Sequence, residues 1–147
     1  MKQNLLWTLK QLHLALEQYG RAQMEQLDLS PTQGAVLHHL LSQPGQAAYA
    51  VELHTVLGLS KSSISAALKS LKQKGYVRLT ENPADDRKKR IVLTRRAYEA
   101  QREIDASLAR QQDRLCQSIP REHLPWLEQD LARMLRNVQS QSKEDLI

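Results

Sequence analysis

Phenylalanine is missing from this 147-residue chain, and two Trp and four Tyr supply its large aromatic side chains. The core must therefore be built from aliphatic residues, among which leucine dominates. Glycine and proline are also sparse at five each, so few positions interrupt a helix, and the chain reads as mostly α. A single cysteine, Cys116, excludes an intrachain disulfide. No run of about 18 apolar residues is present, which excludes a membrane-spanning helix. Nor does any stretch combine a positive start, an apolar centre and a cleavage site, so the cytoplasm is the expected setting. Missing too are a phosphate-cradling Gly loop, a paired metal-ligand motif and a nucleophile beside a base. An enzyme is not expected, and no cofactor is called for.

What residues 61–96 lack is negative charge. They hold eleven Lys and Arg against three acids, a local charge of +8 in a chain whose total is only +5. The remainder is therefore net negative, which makes the positive charge a located feature. The usual partner of such a surface is a nucleic-acid backbone. A chain of this length forms one compact domain, or one such lobe with an extension.

The order of elements gives that charge a scaffold. Leu5, Leu9, Leu12, Leu16 and Tyr19 recur at spacings of four and three, predicting a helix from about Lys2 to Met24 with one apolar face. Leu6, Trp7 and Leu14 widen that face, so the helix meets more than one neighbour, a partner chain being one candidate. Ser30, Pro31 and Gln33 spell a capped helix start with a capping box, and Gln43-Pro44-Gly45 ends that helix after about Ser42. A short helix over 51–57 stops at Gly58, and Ser60 caps the next, in which Ile64, Leu68 and Leu71 face inward and Ser62, Ser65, Ala66 and Lys69 outward. Two short helices around a tight Gly turn make a helix-turn-helix unit whose second helix is the reader.

Gly75 stops that helix and the period changes to two, with Val77 and Leu79 alternating with Arg78 and Thr80, and Ile91 and Leu93 returning. Residues 81–89 read as a projecting charged loop at the tip of this hairpin. Thr94 is expected to N-cap a long helix to about Gln117 carrying Ile104, Leu108 and Leu115. Arg95 and Arg96 in its first turn oppose the helix dipole by about 0.3 to 1 kcal/mol each, a local conflict that suggests phosphate contact. A last helix starts between Pro120 and Pro125 with Leu124, Leu127, Leu131, Met134, Leu135 and Val138 on one broad face, and a frayed tail is expected from Gln139.

The phrase Leu59-Ser60-Lys61-Ser62-Ser63-Ile64-Ser65, with Asp85-Asp86-Arg87 and then Ile91-Val92-Leu93-Thr94, resembles the MarR family of bacterial winged helix-turn-helix transcriptional regulators. The resemblance covers nearly the whole chain. It implies a single domain over 1–147, with a winged helix-turn-helix DNA-binding lobe at 31–94 and a helical dimerisation region at 1–24 and 95–139. It also implies a homodimeric DNA-binding regulator, read here as a repressor on a pseudo-palindromic operator, with a small-molecule effector as a further partner. Two places depart from the family pattern. Ala66 stands where many members carry a large polar residue, and Arg95-Arg96-Ala97-Tyr98 replaces a Glu and Gly that often follow the Leu-Thr pair.

On this reading Lys61, Ser62, Ser63, Ser65 and Lys69 contact phosphates and base edges in a major groove about 12 Å wide. In the wing, Arg87 enters the minor groove, Asp85 positions it through a charge-assisted hydrogen bond, and Lys88, Lys89 and Arg90 attract phosphate. Arg95 and Arg96 add phosphate contacts. The competing view makes these an ordinary solvated helix surface and turn, or the exposed face of a winged-helix module that docks a protein. Such a module has no need of a +8 segment. His13, His38, His39, His54 and His123 are not expected to hold a metal, since adjacent helical residues point about 100° apart. Cys116 is taken as packing rather than a redox switch, and Trp7, Tyr19 and Trp126 as core or dimer anchors.

Overall fold

The computed structural model describes residues 4–43, 48–82 and 85–145, and their side chains except at 82, 85–88 and 141–145. The chain divides into two compact units, Met1–Gln112 and Asp113–Ile147.

In the first unit, α1 (Leu5–Gln23) starts at Asn4, whose side chain accepts from the Trp7 amide at 3.1 Å. The start falls later than Lys2 because Asn4 supplies the cap. A one-turn 3-10 helix, Glu25–Leu27, leads to α2 (Pro31–Leu41). Here the capping box is complete: Ser30 Oγ accepts from the Gln33 amide at 3.2 Å, and the Ser30 amide donates to Gln33 Oε1 at 3.1 Å. A two-residue strand, β1 (Ala48–Tyr49), precedes α3 (Ala50–Leu57), which ends at Gly58 with φ +69°. Glycine takes that left-handed conformation at the least cost, and it lets the chain turn into α4 (Lys61–Gln73).

After Gly75 come β2 (Val77–Asn82) and β3 (Asp85–Leu93), then α5 (Arg95–Leu115). The sheet has the order β1-β3-β2 and is antiparallel throughout, with Ala48 paired to Ile91, Tyr49 to Arg90, and Val77 to Leu93. The core is aliphatic: Val36, Leu37, Leu40 and Leu41 of α2 close on Leu53 of α3, on Ile64, Leu68 and Leu71 of α4, and on Val77, Ile91, Ala97 and Ile104. The inward face expected of α4 is therefore the buried one.

The hairpin differs from expectation. The strands run through most of 81–89 instead of giving way to a long loop, and Glu81 still pairs with Lys89. Backbone ladder bonds form whatever the polarity of the side chains, and a two-stranded ribbon leaves the charges in water. The register slips between Glu81 and Asn82, whose partner is Asp85, so 86–88 are surplus residues on the β3 side.

Thr94 stands directly before α5, in the N-cap position expected of it, and its carbonyl accepts from the Tyr98 amide at 3.3 Å, but its side chain turns elsewhere. Its hydroxyl donates to the carbonyls of Gly75 at 2.6 Å and Tyr76 at 3.0 Å, tying the start of α5 to the end of α4. The second unit holds a one-turn 3-10 helix, Arg121–His123, and α6 (Leu124–Asp145). Helical backbone continues well past Gln139, where the sequence suggests fraying.

Candidate nucleic-acid interface

Ser60 organises the first turn of α4. Its Oγ accepts from the Ser63 amide at 3.1 Å, donates to Ser63 Oγ at 2.8 Å and lies 3.1 Å from Ser62 Oγ. Ser62 and Ser63, expected to reach DNA, thus share the helix cap, although both remain exposed. Ser65 is exposed, and its hydroxyl makes no hydrogen bond to another described residue. Lys61 and Lys69 are exposed, and Ala66 stands outward beside them.

Helical spacing puts Lys61, Ser65, Lys69 and Lys72 on one stripe at i, i+4, i+8 and i+11. That stripe borders a hollow of about 450 Å³, with Val51 and His54 of α3 on one side and Leu79 and Lys89 of the hairpin on another. The structure therefore brings α4 and Lys89 of the hairpin to a single concave surface. Sequence reasoning misses Lys72 and His54 as site residues. The signal for Lys72 lies in its spacing from Lys69, whereas nothing in the local sequence of α3 places His54 there.

The wing residues do not share one face. Pairs Leu79–Ile91 and Glu81–Lys89 alternate with Arg78–Val92 and Thr80–Arg90 across the ladder, so Arg90 projects from the face opposite Lys89. Arg78, beside it on that face, also escapes a reading by sequence. The backbone of Asp85, Arg87 and Lys88 lies in β3, while their side chains, and any Asp85–Arg87 contact, lie outside the described residues.

Arg95 pairs with Glu99 at 2.9 Å on the exposed side of α5. Arg96 turns back instead: its Nη1 donates to the Lys74 carbonyl and its guanidinium carbon sits 4.5 Å from the centroid of the Tyr76 ring. The repulsion it suffers at the start of α5 is offset by its place at the negative end of α4. This gives Arg96 a structural role that needs no phosphate.

Among the described residues, none of Lys61, Lys69, Lys72, Arg78, Lys89 and Arg90 has a carboxylate within salt-bridge distance. Other described ion pairs lie elsewhere, Lys74 with Asp28 at 3.9 Å and Arg110 with Glu103 at 2.9 Å, and His38 Nδ1 lies 3.2 Å from Asp105 Oδ1. These six cations thus meet no carboxylate among the described residues. No group of three or more His, Cys, Asp or Glu able to hold a metal gathers among the described residues, and no helix there is long and apolar enough to cross a membrane. Cys116 is half-buried.

A sequence model of the MarR family matches residues 27–88, from the 3-10 turn before α2 into β3. Solved structures resemble the chain over a wider span. An S. aureus MepR–DNA complex has a TM-score of 0.85 at 18% identity, covering 92% of this chain and 99% of that one. A MarR protein from Peptoclostridium difficile gives 0.84 at 21%, covering 96% and 91%. A MarR family regulator from Listeria monocytogenes, complexed with 26mer DNA, gives 0.81 at 16%, covering 95% and 92%.

Proposed function

We propose that the chain is a DNA-binding transcriptional regulator of the MarR type, acting as a homodimeric repressor on a pseudo-palindromic operator; the match of residues 27–88 to the MarR family model supports this reading. The observation that carries this reading is the stripe of Lys61, Ser65, Lys69 and Lys72 facing the same hollow as Lys89, with no internal counter-charge among the described residues. Lysines provide attraction to phosphate without regard to sequence, and the Ser65 hydroxyl and Ala66 methyl are short enough to meet base edges, Ala66 against a thymine methyl group. Arg87 at the wing tip enters the minor groove, and Asp85 holds it there.

Two reading helices in a symmetric dimer reach successive major grooves about 34 Å apart. What supports a dimer is apolar surface left open in each unit. Trp7 of α1 is 57% exposed and Trp126 of α6 is 74% exposed, and Leu6, Leu14, Leu135 and Val138 are more than half exposed. The two Trp are thus dimer anchors in this reading and not core residues, while Tyr19 is half-buried. Patches of this kind mark association surfaces.

A small-molecule effector belongs to the same reading, and what supports it is a cleft of about 850 Å³ between α1, the Asp28–Ser30 turn and Lys74, a size suited to a small molecule. By linkage, such a molecule releases DNA only by binding the free form more tightly than the bound form.

Salt dependence tests the interface directly. Changing Lys61, Lys69 and Lys72 together to Gln is expected to reduce the slope of log K against log salt by about 0.9 for each phosphate no longer neutralised. Anisotropy titrations of a duplex at several salt concentrations measure it, and an unchanged slope removes α4 from the interface.

A further inference from the structure

The end of α4 is held from two sides by groups the DNA surface does not use. Lys74 Nζ donates to the Asp28 carbonyl and, at 2.8 Å, to Gln33 Oε1, the side chain that completes the capping box of α2. Tyr76, only 1% exposed, donates its phenol proton to the Leu27 carbonyl at 2.7 Å. From the other side, Arg96 donates to the Lys74 carbonyl and stacks on the Tyr76 ring, and Thr94 donates to the Gly75 and Tyr76 carbonyls. Residues 74–76 thus tie α4 to the approach to α2 and to the start of α5.

We propose that Lys74 and Tyr76 are positioning residues that fix the angle of the reading helix, and so the spacing at which two copies read DNA. The inference rests on the DNA-binding reading above. Its force comes from leverage. Lys61–Gln73 spans about 18 Å at 1.5 Å per residue, so a tilt of about 10° about its C-terminal end moves Lys61 by about 3 Å. That is close to one base-pair step, enough to exchange a matched half-site for its neighbour. Tyr76 is too deeply buried to touch DNA, and the Lys74 amine is spent on Asp28 and Gln33, so both act through α4.

The test uses the full chain, its Tyr76→Phe variant and its Lys74→Gln variant. Duplexes selected by the unsubstituted chain are remade with the half-site spacing changed by one base pair in each direction, alongside a non-specific duplex. The unsubstituted chain is expected to prefer one spacing. Both variants are expected to lose on the order of tenfold in affinity there, as befits removal of one hydrogen bond per protomer in Tyr76→Phe and of the Lys74 amine's two in Lys74→Gln, with the preference flattened across spacings. Non-specific affinity and salt slope stay unchanged. A spacing preference as sharp in both variants as in the parent overturns the latch. So does a Lys74→Gln loss that is equal on all duplexes and carries a slope lower by about 0.9, which makes Lys74 a phosphate contact. A parent that selects no inverted repeat refutes the DNA reading itself, an outcome visible before any variant is made. If Tyr76→Phe does not fold, as a thermal melt reveals, Lys74→Gln carries the test alone.

Discussion

The serines at the start of α4 do different work. Ser60 caps the helix and draws in Ser62 and Ser63, whereas Ser65 points outward with no described partner. Ser60→Ala should therefore cost about 1 kcal/mol of stability. Ser65→Ala should stay within about 0.5 kcal/mol of the parent while weakening DNA binding. Thermal melts beside binding titrations separate the two, and equal melting points would dissolve the distinction. The cap is legible in the sequence because a serine three residues before its amide partner is a local pattern. The sharing of that cap by Ser62 and Ser63 is not, since rotamers decide it. Arg96 is similar. Its misfit in the first turn of α5 is visible in the sequence, but the resolution lies 20 residues away at Tyr76, a contact no local pattern reports.

At the scale of elements, the helix-turn-helix joint depends on Gly58. A Cβ there meets no atom within 4 Å, so the penalty of substitution comes from φ +69° alone. Gly58→Ala should lower stability by about 1 kcal/mol, read from the midpoint of chemical denaturation, and a neutral result would show that the turn relaxes freely. Capped helices and period-two strands are legible because their signals are repeated within one turn or one pleat. β1 is not: two residues have no period, and its partners Ile91 and Arg90 lie more than forty positions away. The charge of the wing residues suggests a loop, yet strand pairing is a backbone property. Alternation along β3 then separates Lys89 from Arg90, which a count of charges groups together.

At the scale of the whole molecule, charge and apolar surface divide the labour between the middle of the chain and its ends. Residues 61–96 carry +8, while α1 and α6 expose Trp7 and Trp126 with their neighbouring leucines. Placing charge within the α6 face, as in Leu131→Glu with Leu135→Glu, should convert a dimer to a monomer in sedimentation velocity and weaken operator binding by removing one of two linked contacts. A dimer that survives both changes would move the interface off α6.

The central claim is that two copies of α4, set by a symmetric dimer, read DNA sequence. Selection of bound duplexes from a random pool by the full chain, followed by sequencing, tests it most directly. The expected result is an inverted repeat whose half-site centres lie about one helical turn, or 10 to 10.5 base pairs, apart. Recovery of duplexes with no shared sequence would contradict it.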